Sequence, residues 1–201
     1  MQQKTSSCVI QTEERTMNSY KVIVHQCRKR ERRAQLEFYM MFYKSVYNSC
    51  FRILGNQQEA EEIMQESFLK VLDKTELLQE EPRSMEKMLK RIAINSSIDC
   101  YRKRKIRFVE LEETYPDVPD TDTEDALQDE IRLEAIEQMM QLLPEGYRMI
   151  LSLHLIEGME YAEIAERLNL SASTVRSQFV RARHKMINLV KEHCSHENLL
   201  N

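Results

Sequence analysis

With three glycines, four prolines and no tryptophan in 201 residues, the chain has few places where a helix must stop. Leu, Met, Glu, Lys, Arg and Gln are plentiful, so the composition predicts an all-α protein. The shortage of glycine also leaves no phosphate-cradling loop, and neither a nucleophile elbow nor an HExxH helix occurs. No catalytic residue and no cofactor are expected. Glu66 and Asp99 lie on amphipathic patterns, where a carboxylate is more economically solvated or structural. No apolar run approaches the roughly 20 residues a membrane span needs. The N-terminus lacks the basic-then-apolar order of a secretory signal, so membrane insertion is not expected and the cytoplasm is. Five cysteines (Cys8, Cys27, Cys50, Cys100, Cys194) are odd in number and scattered without a CxxC pair. That excludes a disulfide framework and a zinc pattern. His193, Cys194 and His196 stand too close together to close on one ion unaided, so no metal is expected there either.

A net charge of −4 looks wrong for a nucleic-acid binder until it is followed along the chain. From Arg107 to Glu130 ten acids face one base, a net of −9, so the remainder carries +5. The bases cluster at Arg28–Arg33, Arg102–Arg107 and Arg176–Lys185. The average hides a split.

Residues 1–17 are polar and aperiodic and read as disordered. A first helical domain is expected over 18–106. Within it Leu36, Met40, Tyr43, Tyr47, Cys50 and Leu54 recur at helical spacing on one face. Gly55 fits a C′ position, and Asn56 with Glu59 outlines a capping box for the next helix. That helix carries Ala60, Ile63, Met64, Phe68, Val71 and Leu72 on a stripe. Ser84 can cap a third long helix reaching about Ile106, with Met88, Leu89 and Ile92 inward. Residues 107–126, acidic and interrupted by Pro116 and Pro119, cannot bury enough surface to fold alone and read as a flexible linker. A second helical domain is expected over 127–192, with a helix from Tyr147 to Ile156 before Gly158. Residues 193–201 read as a frayed tail.

The most informative stretch is "AEIAERLNLSASTVRSQFVRARHK", residues 162–185. Ile164, Ala165 and Leu168 make an inward stripe, and the small Ala165 admits a close-packed second helix. Asn169 suits the left-handed residue a tight turn needs. Ser171 can N-cap the second helix. Val175, Phe179, Ala182 and Met186 then face the core. Ser173, Thr174, Arg176, Ser177, Gln178 and Arg181 remain outward, where a helix-turn-helix reader meets base edges. Arg can grip guanine bidentately and Gln adenine. Arg183 and Lys185 are better placed for phosphates. In the third long helix Arg91, Asn95, Asp99 and Arg102 share a face that runs into "RKRK" (102–105), a pattern that suits either a nucleic-acid backbone or a solvated, ion-paired surface.

Three stretches in order, "EAEEIMQESFLKVL" (59–72), "MLKRIAINSSIDCYRKRK" (88–105) and "LPEGYRMILSLHLIEGMEYAEIAERLNLSASTVRSQFVRARHKM" (143–186), together resemble a bacterial sigma factor. The likeness is to the extracytoplasmic-function (ECF) subgroup of the sigma-70 family and covers most of residues 20–190. It implies two small helical domains, sigma regions 2 and 4, joined by the acidic linker. It implies that the helix Glu61–Leu72 docks on the β′ clamp helices of RNA polymerase core, through Glu61, Glu62, Gln65, Glu66 and Lys70. It implies that Arg91, Asn95, Asp99, Arg102, Lys103, Arg104 and Lys105, with the loop at about Thr75–Ser84, meet −10 promoter DNA. Ser173, Thr174, Arg176, Ser177, Gln178, Arg181 and Arg183 are the implied −35 readers. The β flap and an anti-sigma factor are further implied partners, and the linker is expected to thread toward the RNA exit path.

The chain departs from the family at named places. Met88 stands where Trp is frequent, which leaves Tyr101 as a candidate for base stacking. "CRKRERR" (27–33) replaces a turn that often contains Gly, so continuous helix is expected there. Gln178 and Val180 occupy places that are often basic. A stand-alone helix-turn-helix regulator is the alternative reading, and it would need residues 20–106 to supply an effector or dimerisation domain. An all-helical protein–protein adaptor would leave Arg176 and Arg181 without a task.

Overall fold

The computed structural model describes residues 18–107 and 133–198, giving the backbone alone for 105–107, 133–137 and 194–198. The described residues form helices α1 (18–28), α2 (Arg32–Leu54), α3 (Gln57–Asp73), α4 (Pro82–Arg107), α5 (Leu133–Leu142), α6 (Glu145–Leu151), α7 (Tyr161–Leu168) and α8 (Ala172–Asn198). A 3₁₀ turn, Thr75–Leu77, precedes α4, and a π turn, Ser152–Ile156, follows α6. The chain divides into two compact units. One takes the described residues up to Phe51 and Asn56–Ser97; the other takes Arg52–Gly55 and those from Ile98 on. Residues 1–17 and 108–132 lie outside the described residues, and with them the acidic linker beyond Arg107 and the start of the second helical domain expected from residue 127.

In the first unit α2 buries Phe38, Phe42 and Val46 together with Cys50 and Leu54, so only the C-terminal end of the stripe expected from spacing faces the core. Leu36 and Met40 are 61% and 57% exposed, and Tyr43 and Tyr47 are half-buried. Apolar residues fall on more than one face of this helix, and Phe38 and Phe42 take the core, where large rings bury the most surface per residue. Phe38 meets Phe42 and Phe68 edge-on, with centroids 5.2 and 6.0 Å apart, and Tyr39 meets Phe68 at 5.0 Å. Ala60, Ile63, Met64, Phe68 and Val71 of α3 are buried as expected, with Leu72 at the margin. Of the inward positions expected on α4, Leu89 is fully buried, while Met88 and Ile92 are half-buried beside Met85 and Ala93. The buried Ser67 and Ser97 hydroxyls donate to the carbonyls of Ile63 and Ala93, so neither is left unsatisfied.

Two helix ends correct the sequence reading. Residues 27–33 are not continuous helix: Arg30 adopts φ +61°, and its N–H donates to Cys27 O while Glu31 N–H reaches Gln26 O. This is a left-handed C-cap made without glycine. The third long helix starts at Pro82, not after Ser84. Glu81 accepts the N–H groups of Arg83 and Ser84, and proline at the first helical position gives up a donor that had no partner there. A bond from the Ser84 side chain first, and these backbone bonds after it, hold the Glu81 carboxyl below its usual range. Asn56 does cap α3, accepting from Glu59 N at 3.0 Å after Gly55 at φ +66°.

In the second unit Leu143, Tyr147, Leu151 and Ala182 form a core flanked by Phe179, Met186 and Leu189. The helix expected over 147–156 instead runs from Glu145 to Leu151 and widens into the π turn, with Glu157 N–H donating to Ser152 O, five residues back. Arg148, though charged, is buried; its Nη1 donates at 3.3 Å to the carbonyls of Gln141 and Leu143 at the end of α5. Burial pushes its guanidinium pKa down. α8 continues as helix through Asn198, past the start of the expected frayed tail at residue 193.

Candidate nucleic-acid interface

The turn between α7 and α8 follows from three residues. Asn169 closes α7 at φ +55°, ψ +47°, and its N–H and that of Leu170 satisfy the last carbonyls of the helix. The Ser171 hydroxyl then accepts from Thr174 N at 3.0 Å and caps α8. The Thr174 hydroxyl also lies 2.7 Å from Ser171 Oγ. Fully buried Ile164 and Val175 hold the two helices together.

This geometry leaves Ser173, Arg176, Ser177 and Arg183 exposed on α8. Thr174, Gln178 and Arg181 are half-buried, so their reach is shorter than spacing alone implied. The start of a helix with exposed hydroxyls beside Arg176 is favourable for phosphate. One supporting group was missed from sequence. Tyr161 stacks on His154 with centroids 4.2 Å apart, Phe179 packs edge-on to His154 at 4.9 Å, and the Arg176 guanidinium lies 5.7 Å from the Tyr161 ring centre. The His154 Nδ1 atom sits 2.8 Å from Met159 O, so that nitrogen carries the proton and donates. Only the π turn brings His154 to Tyr161, and no residue spacing announces it.

On α4, Arg91, Asn95, Asp99, Arg102 and Lys103 are all exposed on the described surface. Asp99 and Arg102 pair at 3.8 Å; such an exposed pair contributes about 0–1 kcal/mol, so it separates readily. Arg104 is half-buried and paired with Glu145 at 3.3 Å within the second unit, and the Lys105 side chain lies outside the described ones. Tyr101 is half-buried, with its hydroxyl close against Gly146, so it is no open stacking platform. Burial, then the Glu145 carboxylate, raise its pKa. On α3, Glu61, Glu62, Gln65, Glu66 and Lys70 are all exposed, and Leu69 stands 61% exposed among them.

Residues 38–106 match the family model "Sigma-70 region 2" and residues 133–186 match "Sigma-70, region 4". RNA polymerase sigma factor SigV of Bacillus subtilis is 31% identical over 153 residues, 76% of this chain and 89% of its own length. ECF RNA polymerase sigma factor SigW of the same organism is 29% identical over 182 residues, 81% of this chain and 92% of SigW. ECF RNA polymerase sigma factor SigE of Mycolicibacterium smegmatis is 34% identical over 153 residues; the match takes 75% of this chain but spans only 59% of SigE. The chain belongs to the sigma-70 family of RNA polymerase sigma factors. Its place is in the ECF subgroup, as a transcription initiation factor, and the stand-alone regulator is not favoured.

Proposed function

We propose that this chain directs bacterial RNA polymerase core to its promoters through three surfaces. On α3, Glu61, Glu62, Gln65, Glu66 and Lys70, with Leu69 among them, face the β′ clamp helices. An exposed apolar side chain ringed by charge supports a partner-facing patch. Arg91, Asn95, Asp99, Arg102, Lys103, Arg104 and Lys105 of α4 meet the −10 element together with the Thr75–Ser84 loop. Ser173, Thr174, Arg176, Ser177, Gln178, Arg181 and Arg183 of α8 read the −35 element, and the same domain rests on the β flap. An anti-sigma factor is the proposed regulator. The chain acts in the cytoplasm and carries no catalysis of its own; among the described residues no helix is long and apolar enough to cross a membrane.

The observation that carries this reading is the α7–α8 turn, which leaves Arg176 and its serine neighbours uncovered at the start of a long helix. The test is transcription from a randomised promoter library with and without core. Replacing Arg176 and Arg181 by Ala should abolish −35-dependent transcripts yet leave core affinity within about twofold, since surface changes of this kind shift stability by roughly 0.5 kcal/mol or less. Selective transcription that survives in the double variant refutes the −35 assignment.

A further inference from the structure

We propose that α1, which precedes the matched region 2, is a positioning element for −10 recognition, with Tyr20 and Arg28 fixing the backbone of Leu78–Glu80. The inference rests on reading the Thr75–Ser84 loop as the −10-facing loop. Within it Leu78–Glu80 connect the 3₁₀ turn to α4, so the carbonyls of this short stretch lie outside both helical ladders and need partners elsewhere. Two consecutive carbonyls find theirs on α1. Arg28 Nη2 donates to Leu78 O at 3.0 Å, and the Tyr20 hydroxyl donates to Gln79 O at 3.0 Å. Arg28 Nη1 also pairs with Glu80 Oε1 at 3.3 Å, and Gln79 N–H points at the Met85 sulfur at 3.3 Å.

The anchors are themselves fixed. Tyr20 is fully buried and meets Phe42 of α2 edge-on at 6.1 Å, while the Leu78 side chain is buried beneath the loop. Burial drives the Tyr20 phenol pKa upward, so it remains a donor at any working pH. Arg28 sits in the last turn of α1, and the left-handed Arg30 ends the helix directly after it. The exposed Arg28–Glu80 ion pair adds little by itself. The two bonds to carbonyls do the holding, and a loop held in its bound shape does not lose that freedom when DNA arrives.

The test uses holoenzyme built from the full chain and polymerase core on a library randomised at both promoter elements. The double variant Tyr20→Phe, Arg28→Met keeps both apolar bodies and removes both donors. It should lower enrichment at −10 by roughly tenfold, the worth of about two net hydrogen bonds, while −35 enrichment and core affinity stay within about twofold. Arg28→Lys, able to make one bond, should recover part of the loss. An unchanged −10 profile in the double variant overturns the proposal, as does an equal loss at both elements with a lowered Tm. A loop variant with Lys74, Glu76 and Gln79 all changed to Ala separates the two ideas. If it too leaves −10 enrichment untouched, the −10 assignment of the loop fails before α1 is in question.

Discussion

Arg30 shows how a single residue can carry a turn its side chain does not favour. An L-residue with a Cβ loses about 1–2 kcal/mol in the left-handed region, and here φ is +61°. The conformation persists because the Arg30 and Glu31 amides reach carbonyls of α1, and because the helix must stop before Arg32 starts α2 in a new direction. Arg30→Gly should therefore raise stability by about 0.5–1 kcal/mol, after allowing for the greater freedom of glycine in the unfolded chain. Arg30→Val should lower it by about 1 kcal/mol, because a β-branched side chain tolerates positive φ least. Paired urea melts would decide. Equal stability in both variants would mean that this turn carries no strain. The contrast with Asn169 explains what was legible. Asn advertises a left-handed turn by its chemistry, whereas Arg does not, so the sequence foretold one turn and missed the other.

At the scale of the element, α3 was read almost completely and α2 only in outline. The α3 pattern has one apolar stripe and one polar face, so spacing alone picks the buried side. On α2 apolar residues occupy more than one face, Phe38, Phe42 and Val46 on one and Leu36, Met40, Tyr43 and Tyr47 on another. Choosing between them needs a partner, and Phe68 arriving from α3 supplies it. The same logic separates structural from contact residues on α3. Phe68 is 3% exposed and touches two rings of α2, so Phe68→Ala should cost about 3–5 kcal/mol and largely unfold the first unit. Glu62→Ala and Gln65→Ala, both at exposed positions, should leave the melting temperature nearly unchanged while weakening polymerase core binding several-fold. Far-UV circular dichroism alongside a core-binding titration distinguishes the two classes. Loss of core binding only where fold is also lost would remove α3 from the docking surface. The π turn after α6 was not legible at all. It depends on which carbonyl Glu157 reaches, and residue spacing does not encode that choice.

Across the whole molecule the sequence conveyed the all-helical class and the two-domain plan better than any single contact. Both follow from patterns summed over many residues, where single errors average out. The same summation yields a consequence for the acidic stretch. A segment of net −9 is tethered in one chain with basic clusters that would otherwise meet phosphate. If the stretch competes with DNA for those clusters, tethering sets its effective concentration in the millimolar range. Changing the ten acids between Arg107 and Glu130 to Asn and Gln should therefore strengthen nonspecific binding of the free chain to duplex DNA. The gain should be about tenfold at 50 mM salt and shrink toward nothing by several hundred millimolar, since competition and binding are both screened. The slope of log affinity against log salt should also steepen, as more basic side chains become available to release counterions. Filter binding across a salt series measures both quantities. If affinity and slope stayed as in the parent chain, the acidic stretch would be electrostatically silent toward the basic clusters, and its role would have to be sought in the assembled polymerase.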